Sequence, residues 1–113
     1  MAPEAIPALL EQIDELLAEP HSEGEPATLA RLERTLTDGY AHALALESER
    51  WRLEQRLSEL AGELHEGDPG LKTEELAQIS RRLSSTEAAL ESLRSTLTRL
   101  RSRHSSTLRS VVG

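Results

Sequence analysis

Two leucine-rich heptad repeats separated by a single turn constrain this chain more than any other feature of its 113 residues. The a and d positions of the first repeat are Leu29, Leu32, Leu36, Gly39, Ala43, Leu46, Arg50, Leu53, Leu57, Leu60 and Leu64. Nine of these eleven residues are apolar, and the exceptions are Gly39 and Arg50. The a and d positions of the second repeat are Leu76, Ile79, Leu83, Thr86, Leu90, Leu93, Leu97, Leu100, His104, Thr107 and Val111. Each sustained repeat predicts a long helix that packs along one apolar seam.

The segment between the repeats, His65-Glu66-Gly67-Asp68-Pro69-Gly70, consists mostly of turn-forming residues. Two helices of equal length that are joined by a short turn fold back on each other, so the sequence predicts an antiparallel coiled-coil hairpin. At 1.5 Å per residue each arm is roughly 55 Å long. Thr73 is the expected N-cap of the second arm, with Glu74 and Glu75 favourably placed near the positive end of the helix dipole.

A shorter amphipathic helix precedes the hairpin. Its apolar residues recur at three- and four-residue spacing: Ile6, Leu9, Leu10, Ile13, Leu16 and Leu17. Pro20 ends this helix. About 16 residues reach roughly 24 Å, so it can cover the seam only near the open end of the hairpin. We therefore expect the half nearer the turn to remain two-stranded unless another chain packs there.

Composition favours helices throughout. Leu occurs 21 times, Phe is absent, and Tyr40 and Trp51 are the only aromatic residues, whereas strands favour β-branched and aromatic side chains. The expected fold is all-α: a long antiparallel coiled-coil helical hairpin with a short N-terminal helix packed at its open end, a three-helix arrangement in one domain. The expected bounds are helix 1 at 4–19, a linker at 20–26, helix 2 at 27–65, a turn at 66–72 and helix 3 at 73–110.

Two details of the hairpin stay open at this level. Pairing Arg50 with Thr86 places both polar exceptions in one layer, whereas a shift of seven residues pairs Glu63 with Arg82 and Glu47 with Arg94. The segment 38–43 is poor in bulky side chains and contains Gly39, which weakens a helix. Either helix 1 approaches closely there, or helix 2 bends or breaks at Asp38-Gly39.

Charge is distributed unevenly along a chain whose formal net charge is −7. Residues 1–26 carry seven acidic residues and no Lys or Arg, whereas residues 81–113 carry seven Arg against Glu87 and Glu91. We interpret this as an acidic first helix packing against a basic last helix. The alternative, a basic strip for nucleic acid, would favour more net positive charge and stacking aromatics. The acidic start and the lack of a long apolar stretch predict a cytoplasmic protein that makes no use of a membrane.

The sequence offers no pattern typical of catalysis or cofactor binding. Cys is absent, and no two of the four His residues share the i, i+4 spacing of a zinc site. We therefore predict no catalytic residue, no cofactor and no metal. Arg50 is the unusual seam residue: its guanidinium either reaches Glu47, Glu54 or Glu87, or forms an anion site with Arg94 as the second cation.

The turn carries two acidic candidates for partner contacts, Glu66 and Asp68, beside His65. In this respect the chain resembles bacterial transcription factors that insert a coiled-coil hairpin with an acidic tip into the secondary channel of RNA polymerase. The likeness covers the hairpin only. It implies an alternative function as a transcription or nucleic-acid-associated regulator, acting through this tip or through the Arg-rich last helix.

A second apolar stripe, offset from the seam, is the candidate interface: Tyr40, Leu44 and Trp51. A short first helix can cover it only in part, and an apolar patch that includes a Trp commonly marks an interface. The leading hypothesis is therefore a non-enzymatic coiled-coil protein–protein interaction or adaptor module that forms a homodimer, with an unidentified protein as a further partner.

Overall fold

The computed structural model of the chain describes residues 5–18, 26–64 and 69–112. These residues form three helices: α1 (Ala5–Ala18), α2 (Pro26–Glu63) and α3 (Pro69–Val112). The two long helices pack extensively on each other and α1 packs on both, which confirms the all-α, three-helix arrangement. No strand occurs in the described ranges. None of the three helices is apolar over enough of its length to cross a membrane.

The predicted start of the last helix is wrong by four residues. α3 begins at Pro69, so Thr73 lies inside the helix and is not its N-cap, and residues 69–72 do not belong to the turn. Proline suits the first turn of a helix because its φ is already helical and the N–H it lacks would have no intrahelical acceptor there. The same rule explains why α2 begins at Pro26.

The end of α2 has its own stabilising contact. The helix runs without interruption through Asp38-Gly39, so the predicted alternative of a break there is wrong, and it ends at Glu63. Lys72 Nζ donates a hydrogen bond of 2.9 Å to the Glu63 carbonyl oxygen, which would otherwise lack a helical donor.

The chain divides into two compact units. The first, which we call the three-helix unit, comprises residues 1–44 and 91–113 and contains α1. The second, the two-helix unit, comprises residues 45–90. In both units the segments of α2 and α3 run antiparallel, as the contact of Gly39 with Leu97 shows for the first and the ion pair of Glu49 with Arg82 for the second.

In the three-helix unit, α1 covers one side of the seam. Its residues Ile6, Leu9, Ile13 and Leu16 are buried. The heptad g positions of α2 and α3 are all at least half-buried (Thr28, Thr35, His42, Thr96, Arg103 and Ser110), whereas the e positions are exposed (Glu33, Tyr40, Arg94, Arg101 and Leu108). α1 therefore lies along the g side. With this cover, eight of the eleven a and d residues in the unit are buried.

Gly39 permits a close approach of α3 to α2 within the three-helix unit. A Cβ atom at this position would occupy the place of Leu97 Cδ2 and lie 3.4 Å from Leu97 Cγ. Leu97 is itself buried and has little room to move. The nearest atoms to this position therefore belong to a residue of α3. The predicted alternative of a close approach by helix 1 stays a prediction.

The described residues of the two-helix unit belong to the two long helices and the end of α2, and its seam is more exposed. Only four of its eleven a and d residues are buried: Leu46, Leu60, Thr86 and Leu90. The other seven are half-buried: Arg50, Leu53, Leu57, Leu64, Leu76, Ile79 and Leu83. The expectation that helix 1 leaves the turn-proximal seam uncovered agrees with this difference.

The register follows from contacts in each unit. Gly39 faces Leu97, which is the layer pairing that also sets Arg50 opposite Thr86. In the two-helix unit, Arg82 pairs with Glu49 at 3.0 Å, and not with Glu63 as the alternative register requires. Arg56 pairs with Glu75 at 3.0 Å, one heptad further along each helix. The first of the two predicted registers is therefore the one present.

Two glycines within α2 provide a test of this packing. We expect Gly39→Ala to lower the free energy of unfolding by about 1 kcal/mol, because repacking Leu97 costs roughly 1–3 kcal/mol while the gain in helix propensity is at most about 1 kcal/mol. Gly62→Ala is the matched control: no atom lies within 4 Å of the added Cβ, so its stability should rise by up to about 1 kcal/mol. Urea unfolding measures both, and a stabilised Gly39→Ala variant would contradict the close approach.

Candidate interaction surface

Two residues of the predicted interface, Tyr40 and Leu44, belong to the three-helix unit and lie on the side of α2 away from α1. Tyr40 is 45% exposed and Leu44 is 65% exposed. Arg101 Nη1 donates a long hydrogen bond of 3.5 Å to the Tyr40 hydroxyl oxygen, so the ring has a polar partner on α3. Leu108 is a further exposed apolar residue, at an e position of α3.

Trp51, the third residue of the predicted interface, belongs to the two-helix unit. Its side chain is 62% exposed and lies at a heptad b position, next to the e positions that flank the seam. An indole ring is one of the largest apolar surfaces that a side chain can present to water. The exposed ring lies near half-buried seam residues, so both leave apolar surface uncovered in this unit.

One side of the seam in the two-helix unit is closed by ion pairs, and we call it the ion-pair face. It consists of the g residues Glu49 and Arg56 of α2 with Glu75 and Arg82 of α3. Arg56 Nε and Nη2 donate hydrogen bonds of 3.2 and 3.0 Å to Glu75 Oε1. Arg56 Nη1 also donates to Glu59 Oε2 at 3.2 Å. The hydrogen bond to Glu75 and then that to Glu59 raise the pKa of Arg56 above its ordinary value.

The opposite side of the two-helix unit, which we call the Trp51 face, is formed by the e and b residues. On α3 it is a strip of exposed residues with short side chains: Thr73, Ala77, Ser80 and Ser84. On α2 it carries Trp51. One half of the face is therefore shallow and the other half carries a protruding ring.

The Trp51 face also carries charges at one level of the seam. Arg50 Nε lies 3.5 Å from Glu54 Oε1, and the Arg50 side chain remains 35% exposed. This pair confirms one of the three predicted acidic partners of Arg50. Glu87 is exposed on α3, one residue beyond the Thr86 that stands opposite Arg50, and within the described ranges it has no hydrogen-bond or ion-pair partner.

The predicted tip contacts, Glu66 and Asp68, lie outside the described residues. The alternative function that depends on them therefore stays a prediction. In the described ranges, no group of three or more His, Asp or Glu side chains is arranged as a metal ion would require.

Comparison of the chain with protein-family models, with curated proteins and with solved structures gives no match.

Sequence reasoning missed the ion-pair face, although the signal is present. Glu49 and Arg56 occupy g positions of the first repeat, and Glu75 and Arg82 occupy g positions of the second in the same sign order, which antiparallel helices bring together as opposite charges. Scanning g positions in both registers would have found two opposite-charge pairs in the register that the structure adopts. The short side chains of the Trp51 face were missed because exposed Ser and Ala residues add nothing to an apolar pattern.

A charge swap tests the register through the ion-pair face. We expect Glu49→Arg to lower the melting temperature by about 2–4 °C at low salt, because it places two guanidinium groups together. Adding Arg82→Glu should restore most of the loss, since the opposite-charge pair is re-formed. The matched control compares Glu63→Arg alone with Glu63→Arg combined with Arg82→Glu, the pair of the rejected register. If adding Arg82→Glu raised the melting temperature of the Glu63→Arg variant as much as that of the Glu49→Arg variant, the assigned register would be wrong.

Proposed function

We propose that this chain is a non-enzymatic protein–protein interaction module that self-associates as a homodimer through its two-helix unit. The observation that carries the proposal is the exposed Trp51 in a unit where seven of eleven seam residues are only half-buried. Exposed apolar surface on this scale favours association, because covering it removes the surface from water. Two such units side by side would form a four-helix bundle around a shared core.

The free energies of apolar burial and of association indicate which residues the dimer interface must include. Covering the Trp51 ring removes roughly 100 Å² of apolar surface, which contributes about 2.5 kcal/mol per chain and about 5 kcal/mol per dimer. Association itself costs about 4–15 kcal/mol in lost translational and rotational freedom. Trp51 alone therefore does little more than offset the lower limit of this cost. A stable dimer also requires the half-buried seam residues such as Leu53 and Leu57.

Light scattering coupled to gel filtration tests the homodimer. We expect the wild-type chain to elute with twice its monomer mass of 12.5 kDa. Trp51→Glu should shift the mass to that of a monomer while the helical circular dichroism is retained, because a carboxylate would have to lose its water in the interface.

Gln78→Glu is the matched control, because it adds the same charge at an exposed heptad c position of α3 that belongs to neither face. It should leave the dimer intact. A wild-type chain that stays monomeric at concentrations of about 100 μM, where Kd values in the micromolar range would give a dimer, would overturn self-association. The exposed side chains of Tyr40, Leu44 and Trp51 would then be candidate contacts for a different protein.

A further inference from the structure

We propose that the two protomers meet through their Trp51 faces about a two-fold axis parallel to the helices. Trp51 of each protomer then lies on the Ser80–Ser84 strip of the other, and Arg50 of each pairs with Glu87 of the other. This inference rests on the proposed self-association and adds to it the face, the symmetry and the charge pairs.

The Trp51 face is complementary to itself because the residues that would pair lie at the same height along the helices. In the observed register Arg50 lies opposite Thr86, so Trp51 and Arg50 of α2 stand at the height of Ser84 and Glu87 of α3. A two-fold axis parallel to the helices leaves heights unchanged and places α2 of one protomer in front of α3 of the other. The ring therefore meets the short side chains, and the guanidinium meets the unpartnered carboxylate.

The short side chains decide where a ring can fit. Ser80, Ser84 and Ala77 are exposed and leave space above α3 that a second helix with a protruding Trp can fill. The two-fold operation repeats this contact, because each protomer contributes one ring and one strip. It also places each α2 beside an antiparallel partner on both sides, so that neighbouring helix dipoles are opposed throughout the bundle.

The charges of the Trp51 face are accounted for in this arrangement. Glu54 is paired with Arg50 in its own chain, and Glu47 already has a polar partner. Glu87 is the acidic residue of this face that has no partner within the described ranges of its own chain. The Arg50 side chain of the other protomer is exposed enough to reach it. On the ion-pair face, by contrast, Arg56 and Arg82 are already bound to acidic residues of their own chain. Docking there would remove water from satisfied charges without new partners.

Mixing two charge variants tests the pairs between protomers. In a dimer of the Arg50→Glu variant, the new carboxylate of each protomer faces Glu87 of the other. In a dimer of the Glu87→Arg variant, the new guanidinium of each protomer faces Arg50 of the other. Both contacts are repulsive. We expect each variant alone to raise the dimer Kd by at least about tenfold, measured by sedimentation equilibrium. An equimolar mixture restores both opposite-charge pairs across the interface, so its heterodimer should form with a Kd within about threefold of wild type. A charge pair within one chain cannot be restored by mixing.

Two neighbouring serines test the face independently of these charges. Ser84→Glu adds a carboxylate to the strip and should abolish the dimer, whereas Ser85→Glu adds it at a heptad c position on the other side of α3 and should leave the dimer intact. Both residues are exposed, so neither variant is expected to unfold the chain. A wild-type dimer in which mixing restores nothing, or in which both serine variants behave alike, would overturn this inference and leave self-association standing. A wild-type monomer would overturn the proposed function itself.

Discussion

The burial of one leucine seam between α2 and α3 is the interaction on which the rest of the structure depends, and the length of α1 limits it. α1 spans 14 residues, or roughly 21 Å, and α2 spans 38 residues, or roughly 57 Å. Within the three-helix unit four apolar residues of α1 are buried, and most seam residues are buried with them. The two-helix unit has to satisfy the same seam with two helices, and most of its seam residues remain half-exposed.

The two units close the g side of the seam by different chemistry. In the three-helix unit the apolar side of α1 lies there, with Ile13 completely removed from solvent. In the two-helix unit the g residues form ion pairs, Glu49 with Arg82 and Arg56 with Glu75, all of them partly exposed. Exposed ion pairs add little stability, so they fix register more than they replace apolar cover. That leaves the e and b side, with Trp51, as the surface where further apolar burial can stabilise the two-helix unit.

The sequence predicted the seam well, because the heptad pattern reports directly on which residues face a partner helix: every a and d residue in the described ranges is buried or half-buried. It predicted the helix starts less well. Pro26 and Pro69 were treated as parts of a linker and a turn, although proline also suits the first turn of a helix. The register could not be chosen, because a shift of seven residues leaves the apolar pattern unchanged and only Gly39 against Leu97 and the g-position charges distinguish the two pairings. Of the candidate interface, the exposure of Tyr40, Leu44 and Trp51 was predictable from their offset, whereas the complementary strip at Ser80 and Ser84 was not.

Hydrogen exchange of backbone amides at two protein concentrations tests the central claim, that the two-helix unit lacks cover which a second protomer supplies. In dilute protein we expect amides around Leu57 and Leu83 to exchange faster than those around Leu36 and Leu97, because partly exposed helices open more readily. At high concentration the protection around Leu57 and Leu83 should rise while that around Leu36 and Leu97 changes little, since binding stabilises only the surface that it covers. Equal protection in both units, independent of concentration, would contradict the account.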